Sequence, residues 1–201
     1  MKNNREIEET LASLFDFGDP FSMLNRKFKP LPLQKRDNVE YEVQWQKTEL
    51  EKDGHKVIHI AQNKICERII IYRMFFGDGW DEVDINLGMK VISNEGVMVP
   101  DPNTYLVFDT EQKHLRIADI RIEGDQVNKG YGTILMNAIM QLGNELNVQC
   151  ITGWISQVDW DHIERLEHFY KKFGFSCEIN HEIKHGTIIW KNADYIREDK
   201  I

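Results

Sequence analysis

A strand, a glycine-containing turn and an amphipathic helix follow one another without interruption in the second half of this chain. The strand is HLRIADIRIE, from His114 to Glu123, and the turn is QVNKGYG. Thr133 to Asn147 then carries apolar residues on one side at helical spacing: Ile134, Leu135, Ala138, Ile139, Leu142 and Leu146. A second strand, VQCITGWIS, comes next. Because a strand, a helix and a returning strand form a crossover between parallel strands, this order predicts an α/β fold with a mixed sheet.

Shorter elements surround this crossover. TYLVFD, the turn TEQK and HLRIADIRIE predict a hairpin before it. After it, DHIERLEHFYKKF predicts a helix that ends at Gly174, and FSCEIN and HGTIIWK predict two closing strands. We therefore expect the parallel part of the sheet at the first crossover and antiparallel strands elsewhere.

The N-terminal region predicts two further parts. Residues 1–39 combine a short amphipathic helix with a basic, proline-containing connector, RKFKPLPLQKRDN. Residues 40–201 are expected to form one domain, in which 40–104 supply hairpins on the acceptor side of a site and 105–191 supply its core.

Three patterns suggest strands joined by tight turns in residues 40–104. Tyr41, Val43 and Trp45 alternate with polar residues, and Asp53-Gly54 is a strong hairpin signal. The runs ERIIIYRMFF and DEVDINLGMKVIS, separated by a GDG turn, suggest a second hairpin. Periodicity in the short run from 64 to 76 also allows a helix, and this alternative stays open.

Composition argues against several classes of protein. The formal net charge of -8 disfavours a general grip on nucleic acid phosphates. The charged N-terminus and the lack of any run of about 20 apolar residues argue against a signal peptide and a membrane span. Three cysteines without CxxC spacing predict neither a disulfide framework nor a zinc ribbon, so we expect a cytoplasmic protein.

The turn before the predicted helix has the form GxG, with Gly130 and Gly132 one residue apart. Such a turn presents backbone N–H groups and the positive end of the helix dipole, which can hold phosphate. A P-loop would need GxxxxGK[ST], whereas Lys129 precedes the glycine, and a dinucleotide fingerprint would need glycine at Leu135. A GxG motif alone also fits a purely steric turn.

A second motif, FYKKFGF, lies about forty residues further along, at the end of the next predicted helix. A strand, a (Q/R)xxGxG-like turn, a helix, a strand and a helix bearing FYxxxGF resemble the GNAT superfamily of acetyl-CoA-dependent N-acetyltransferases over roughly residues 105–191. The resemblance implies a GNAT-like acyltransferase fold, acetyl-CoA as co-substrate, and transfer of acetyl to a primary amine by direct attack.

The resemblance also implies roles for particular residues. The turn is expected to line the coenzyme pyrophosphate, with Lys129 adding a positive charge. Its members are Val127, Asn128, Lys129, Gly130, Tyr131, Gly132 and Thr133. The end of the preceding strand is expected to pair with the pantetheine arm and polarise the thioester through backbone N–H groups: Ile120, Arg121 and Ile122. Val127 departs from the family pattern, which usually has glutamine or arginine there.

Tyr170, in the second motif, is expected to be catalytic by hydrogen bonding to the departing thiolate. The general base stays open among Asp119, Glu123 and His162, because Arg116 occupies the position where some family members carry glutamate. A water chain would need no dedicated base. We expect no metal site, since His181 and His185 have no third ligand near them in sequence.

The acceptor is not determined by the sequence. Four aromatic residues are candidate walls of its cleft: Trp45, Phe75, Phe76 and Trp80. An acidic cluster could attract a cationic small-molecule or protein amine: Asp78, Asp81, Glu82 and Asp84. The alternative function is a catalytically inactive CoA-binding or protein-interaction module on the same fold. The oligomeric state stays open.

Overall fold

The structure is a computed structural model that describes residues 30–35, 38–77, 79–122 and 128–196. The helix predicted near the N-terminus and residues 26–29, 36 and 37 of the basic connector lie outside these residues. None of the helices in the described ranges combines the length and apolarity needed to cross a bilayer.

The described chain forms three α-helices, one 3-10 helix and nine strands. The helices are α1 (Val39–Lys52), α2 (Tyr131–Glu145) and α3 (Ile163–Lys172), and a 3-10 helix, Gln157–His162, precedes α3. The strands are β1 (Lys56–Gln62), β2 (Arg68–Met74), β3 (Asp84–Ser93), β4 (Gly96–Val97), β5 (Asn103–Asp109), β6 (His114–Arg121), β7 (Cys150–Ile155), β8 (Ser176–Asn180) and β9 (His185–Lys191).

The strands form one mixed sheet in the order β1-β2-β3-β5-β6-β7-β9-β8, with β4 paired to β3. The pair β6 and β7, joined through α2, is parallel, and the other pairs are antiparallel. This arrangement confirms the predicted α/β fold with its parallel portion at the first crossover.

The two faces of the sheet are covered differently. On one face, α2 and α3 contribute Leu135, Ile139 and Tyr170 to the main core, together with strand residues such as Ile117 and Ile151. On the other face, a smaller core packs α1 against β1–β4: Val43, Leu50, Ile70, Tyr72, Ile92 and Val97. The part of this second face over β6 and β7 carries exposed side chains, among them Arg116 and Trp154.

The strand predicted at 41–45 is wrong, because this segment begins α1. Asn38 caps the helix by accepting a hydrogen bond from the Tyr41 N–H at 2.8 Å, and two glutamates in the first turn favour the helix dipole. Val43 and Leu50, seven residues apart, face the sheet. Asp53-Gly54 ends α1 and turns the chain into β1, so the predicted hairpin there is also wrong.

The other N-terminal strands are confirmed. The helical alternative for 64–76 is not adopted, since 68–74 form β2, whose isoleucines are buried on both faces of the sheet. A central strand with both faces covered carries a continuous apolar run, which is why periodicity alone did not distinguish it from a helix.

Candidate functional site

Strands β6 and β7 diverge at their C-terminal ends. Their parallel pairing runs from His114 opposite Cys150 to Ile117 opposite Gly153 and stops there. Beyond it, β6 continues to Arg121 against β5, with one extra residue inserted at Ala118, and β7 continues to Ile155 against β9. A β-bulge bends its strand and increases the local twist, which accounts for the separation. We call the space between the two strand ends the β6–β7 gap.

The gap leaves a strip of backbone available. Residues 119–121 of β6 pair with β5 on one side, Ala118 is the bulged residue, and no described strand pairs with 118–121 on the β7 side. Exposed backbone at a strand edge can pair with an extended ligand. The gap can therefore hold a linear, amide-bearing arm.

The glycine turn lies at the start of α2. Gly130 is the N-cap residue with φ of 92°, and Asn128 also has a positive φ of 68°. A Cβ on Gly130 would have no heavy atom within 4 Å, so glycine is required there for its left-handed conformation, not for space. At Gly132 a Cβ would stand 3.5 Å from the Phe169 ring and 3.6 Å from Ile122, which are ordinary contacts.

The first turn of α2 presents unused hydrogen-bond donors. No described residue accepts a hydrogen bond from the N–H of Gly130, Gly132 or Thr133, and Gly130 supplies no side-chain cap. The first turn contains no acidic residue. Together with the positive end of the dipole of a 15-residue helix, these groups form an anion-binding site.

The predicted β6 residues can act only through their backbone. Ile120 and Ile122 have half-buried side chains that pack against the main core. The Arg121 side chain is exposed and forms an ion pair with Asp119 at 2.6 Å. Two of these side chains pack against the core, and the third is exposed and paired with Asp119. The backbone is therefore the part of these residues that borders the gap.

The described residues of the predicted turn lie at or just before the start of α2, and Gly132 lies beside Ile122 at the end of β6. The Tyr131 side chain is buried in the main core and its hydroxyl donates a hydrogen bond to Glu67, so its side chain is directed away from any ligand. Val127 lies outside the described residues. Asn128 and Lys129 precede the N-cap residue, and the Lys129 carbonyl accepts a hydrogen bond from Asn63.

Tyr170 is buried on α3 and packs edge-to-face against Phe169 and Phe175. Burial, with smaller contributions from the Asp159 carboxylate and the Cys177 thiol, raises the pKa of Tyr170 to about 12. Among the described residues its hydroxyl has no hydrogen-bond partner. Its neighbour Phe169 lies beside Gly132, which places this part of α3 next to the start of α2.

The structure does not bring a predicted general base to Tyr170. His162 is the exposed residue that precedes α3 and lies outside that helix. Asp119 is held by Arg121, and Glu123 lies outside the described residues. Asp159 forms a capping box with Ser156 at the start of the 3-10 helix.

The predicted acceptor walls lie at the other end of the sheet. Arg116, Val107 and Asp84 form one row across β6, β5 and β3. That row is near the start of β6, two residues before Ala118, where the gap begins, and five residues, or on the order of 17 Å along the strand, from Arg121. The turn with Phe76 and Trp80 precedes Asp84 and is further away still.

The acidic residues at that turn mostly accept hydrogen bonds from neighbouring groups. Asp81 accepts hydrogen bonds from the N–H groups of Phe76 and Gly77, and Asp84 accepts one from the Tyr105 hydroxyl at 2.5 Å. Asp78 lies outside the described residues. The aromatic residues Phe75, Phe76 and Trp80 therefore do not line the gap, and Trp45 lies on α1.

The sequence analysis missed the turn between β1 and β2. Asn63 and Glu67 lie in this turn, which contacts the glycine turn through the Lys129 carbonyl and the Tyr131 hydroxyl. An asparagine between two strands indicates a turn. A single sequence carries no signal for the contact of this turn with residues more than sixty positions later.

Comparisons with known proteins agree with this geometry. Residues 92–175 match the family model described as Acetyltransferase (GNAT) family. The uncharacterised protein YocC of Bacillus subtilis (strain 168) is 29% identical over 158 residues, which are 75% of this chain and 84% of that protein.

Two solved structures are distant likenesses. A GNAT family acetyltransferase from Elizabethkingia anophelis with acetyl-CoA bound has a TM-score of 0.46 and 12% identity, over 62% of this chain and 98% of that chain. Spermidine N-acetyltransferase from Vibrio cholerae, in complex with CoA and spermine, has a TM-score of 0.45 and 14% identity, over 57% and 69%. Likenesses at this level say nothing about the substrate.

Proposed function

We propose that this chain, whose residues 92–175 match the GNAT acetyltransferase family model, transfers acetyl from acetyl-CoA directly to a primary amine. The pyrophosphate of the coenzyme binds to the backbone N–H groups at the start of α2. The pantetheine arm lies in the β6–β7 gap and pairs with residues 118–121.

One observation carries the proposal. A helix start with unused N–H donors and a strip of β6 backbone that is unpaired on its β7 side lie near each other along the chain, the first at 130–133 and the second at 118–121. A phosphate joined to a linear amide-bearing arm has matching chemistry for both. A purely steric strand-to-helix turn would explain the first feature and leave the second without a ligand.

Tyr170 assists the departure of the thiolate. Its pKa of about 12 exceeds that of a model thiol, about 8.5, by about 3.5, so full proton transfer to the thiolate is unfavourable by about 5 kcal/mol. A neutral phenol still donates a hydrogen bond to the developing negative charge. Backbone N–H groups of β6 polarise the thioester carbonyl, and the amine proton leaves through water.

The amine enters from the sheet face opposite α2 and α3. Those two helices occupy one face, and α1 covers only the β1–β4 side of the other. Arg116, Ala118 and Trp154 are exposed around the gap on this second face. This open area accommodates either a small-molecule amine or a protein side chain. The three cysteines are all free thiols, which fits a reducing, cytoplasmic location.

Calorimetric titration of acetyl-CoA and coenzyme A tests the proposal. We expect saturable binding by the wild type and its loss in Gly132→Trp, whose indole would occupy the start of α2. Gly79→Trp is the matched control, because Gly79 lies in the turn at the other end of the sheet with no heavy atom within 4 Å of a Cβ. If the wild type binds neither ligand, the proposal is wrong. Binding without turnover on any primary amine would instead identify an inactive coenzyme-binding module.

A further inference from the structure

Building on the proposed function, we infer that the β1–β2 turn is a brace that orients the phosphate-binding turn, with Asn63 and Glu67 as positioning residues. We define the brace as residues 63–67. It contacts the chain on both sides of Gly130, at Lys129 and at Tyr131. The residues it contacts are 66 and 64 positions later in the chain, so the two turns are joined only by folding.

Asn63 uses every polar atom of its side chain. Its Nδ2 donates to the Glu67 carboxylate at 2.7 Å and to the Lys129 carbonyl at 3.3 Å. Its Oδ1 accepts from the N–H groups of Ile65 and Glu67 at 3.1 and 2.9 Å. The residue is buried. A buried amide with all its hydrogen bonds made holds one orientation, because any rotation leaves a polar group unpaired.

Glu67 supplies the second connection. One of its carboxylate oxygens accepts hydrogen bonds from both Asn63 and the Tyr131 hydroxyl. Tyr131 is only 1% exposed, so its ring fixes the first residue of α2 within the main core. Gly130, which lies between the two contacted residues, is the residue with the left-handed conformation.

The contact at Lys129 determines the direction in which the Gly130 N–H points. In a planar trans peptide, the carbonyl of one residue and the N–H of the next point in opposite directions. Because the Lys129 carbonyl points to Asn63, the Gly130 N–H points away from the brace. No described residue accepts that hydrogen bond. Asn63 thus aims the Gly130 N–H toward the position of the coenzyme phosphate.

Asn63→Asp tests this inference. The aspartate keeps an oxygen for the two N–H groups of its own turn but cannot donate to Lys129, and it places a second carboxylate beside Glu67. We expect the Kd for coenzyme A to rise about tenfold, the effect of one lost hydrogen bond or slightly more. The KM for acetyl-CoA should rise by the same factor while kcat stays within twofold.

A truncated donor separates positioning from general damage. S-acetylpantetheine lacks the pyrophosphate, so its KM should be the same in the wild type and in Asn63→Asp. Tyr131→Phe, which retains the buried ring, should weaken coenzyme A binding in the same selective way. Tyr105→Phe is the control, since it removes a tyrosine–carboxylate hydrogen bond that is directed to Asp84 on β3 and not to the glycine turn, and it should change neither KM.

The outcomes are distinguishable. If the wild type binds coenzyme A and both variants bind it equally well, the brace inference is wrong and the proposed function stands. A rise in KM for both donors would also overturn the inference, because the damage would not be confined to the phosphate site. If the wild type binds no coenzyme A, the proposed function fails and the inference fails with it. Should Asn63→Asp not fold, Tyr131→Phe decides the question.

Discussion

The two ends of the sheet in this protein are rich in polar and aromatic residues, yet only one has the properties of a binding site. At the β2–β3 turn, Asp81 and Asp84 are engaged by backbone N–H groups and by Tyr105. At the C-terminal end of β6, the backbone itself is left with unused donors and acceptors. Phe76 and Trp80 are 63% and 66% exposed, but exposure of an aromatic ring does not by itself make a site. The difference teaches that unsatisfied backbone, more than conspicuous side chains, marks the functional end.

The largest effect is expected from Tyr170→Phe. Removing the hydroxyl takes away the hydrogen bond to the departing thiolate, so kcat should fall about 100-fold, at the lower limit for proton-transfer groups. Binding of coenzyme A should change less than twofold, since the ring stays in place. Steady-state kinetics beside calorimetry would check this, and unchanged kcat would assign Tyr170 to core packing alone.

A matched pair of glycines compares the two ends directly. Gly130 and Gly77 both have positive φ, and a Cβ on either would have no heavy atom within 4 Å. Alanine at either position should therefore cost about 1–2 kcal/mol of unfolding free energy through backbone strain. Only Gly130→Ala should also weaken coenzyme A, by about tenfold, because its N–H is displaced. Equal affinities in the two variants would break the comparison.

The buried phenol predicts an alkaline loss of stability. The pKa of Tyr170 is about 12 in the folded protein and about 10 when unfolded, so the unfolded state loses its proton first. Stability from this group is complete below pH 10 and falls as the pH rises toward 12. By pH 11 the wild type should lose on the order of 1 kcal/mol more unfolding free energy than Tyr170→Phe, relative to pH 9. Urea unfolding at both pH values measures this, and parallel losses would contradict it.

The smallest effect is expected from the exposed aromatic residues at the far end. Phe76→Ala and Trp80→Ala should change the KM for an amine acceptor less than twofold, because the turn that carries them precedes Asp84, which is level with the start of β6 and two strands away from it. Trp154→Ala, at the rim of the gap, is the comparison variant. A tenfold rise in acceptor KM for either far-end variant would show that the acceptor cleft lies at that end of the sheet, which would contradict our account.

The C-terminal half could be predicted from its sequence because its signals are local. The α2 stripe, the GxG turn and the FYKKFGF motif each lie within one element, and their order fixes the crossover. The segment 41–45 was misread because five alternating residues also fit a helix, and the Asn38 cap was overlooked. The brace was missed because Asn63 and Lys129 come into contact only when the chain folds. The register between β3 and β5, which composition does not reveal, places the turn with Phe76 and Trp80 away from the site.

Amide chemical shifts test the central claim most directly. Selective labelling with 15N-glycine would report on the 13 glycines of the chain as coenzyme A is added. The account predicts large shifts for Gly130 and Gly132, and none for Gly77 and Gly79 at the other end of the sheet. If coenzyme A binds and leaves Gly130 and Gly132 unmoved, the start of α2 is not the phosphate site and the account is contradicted.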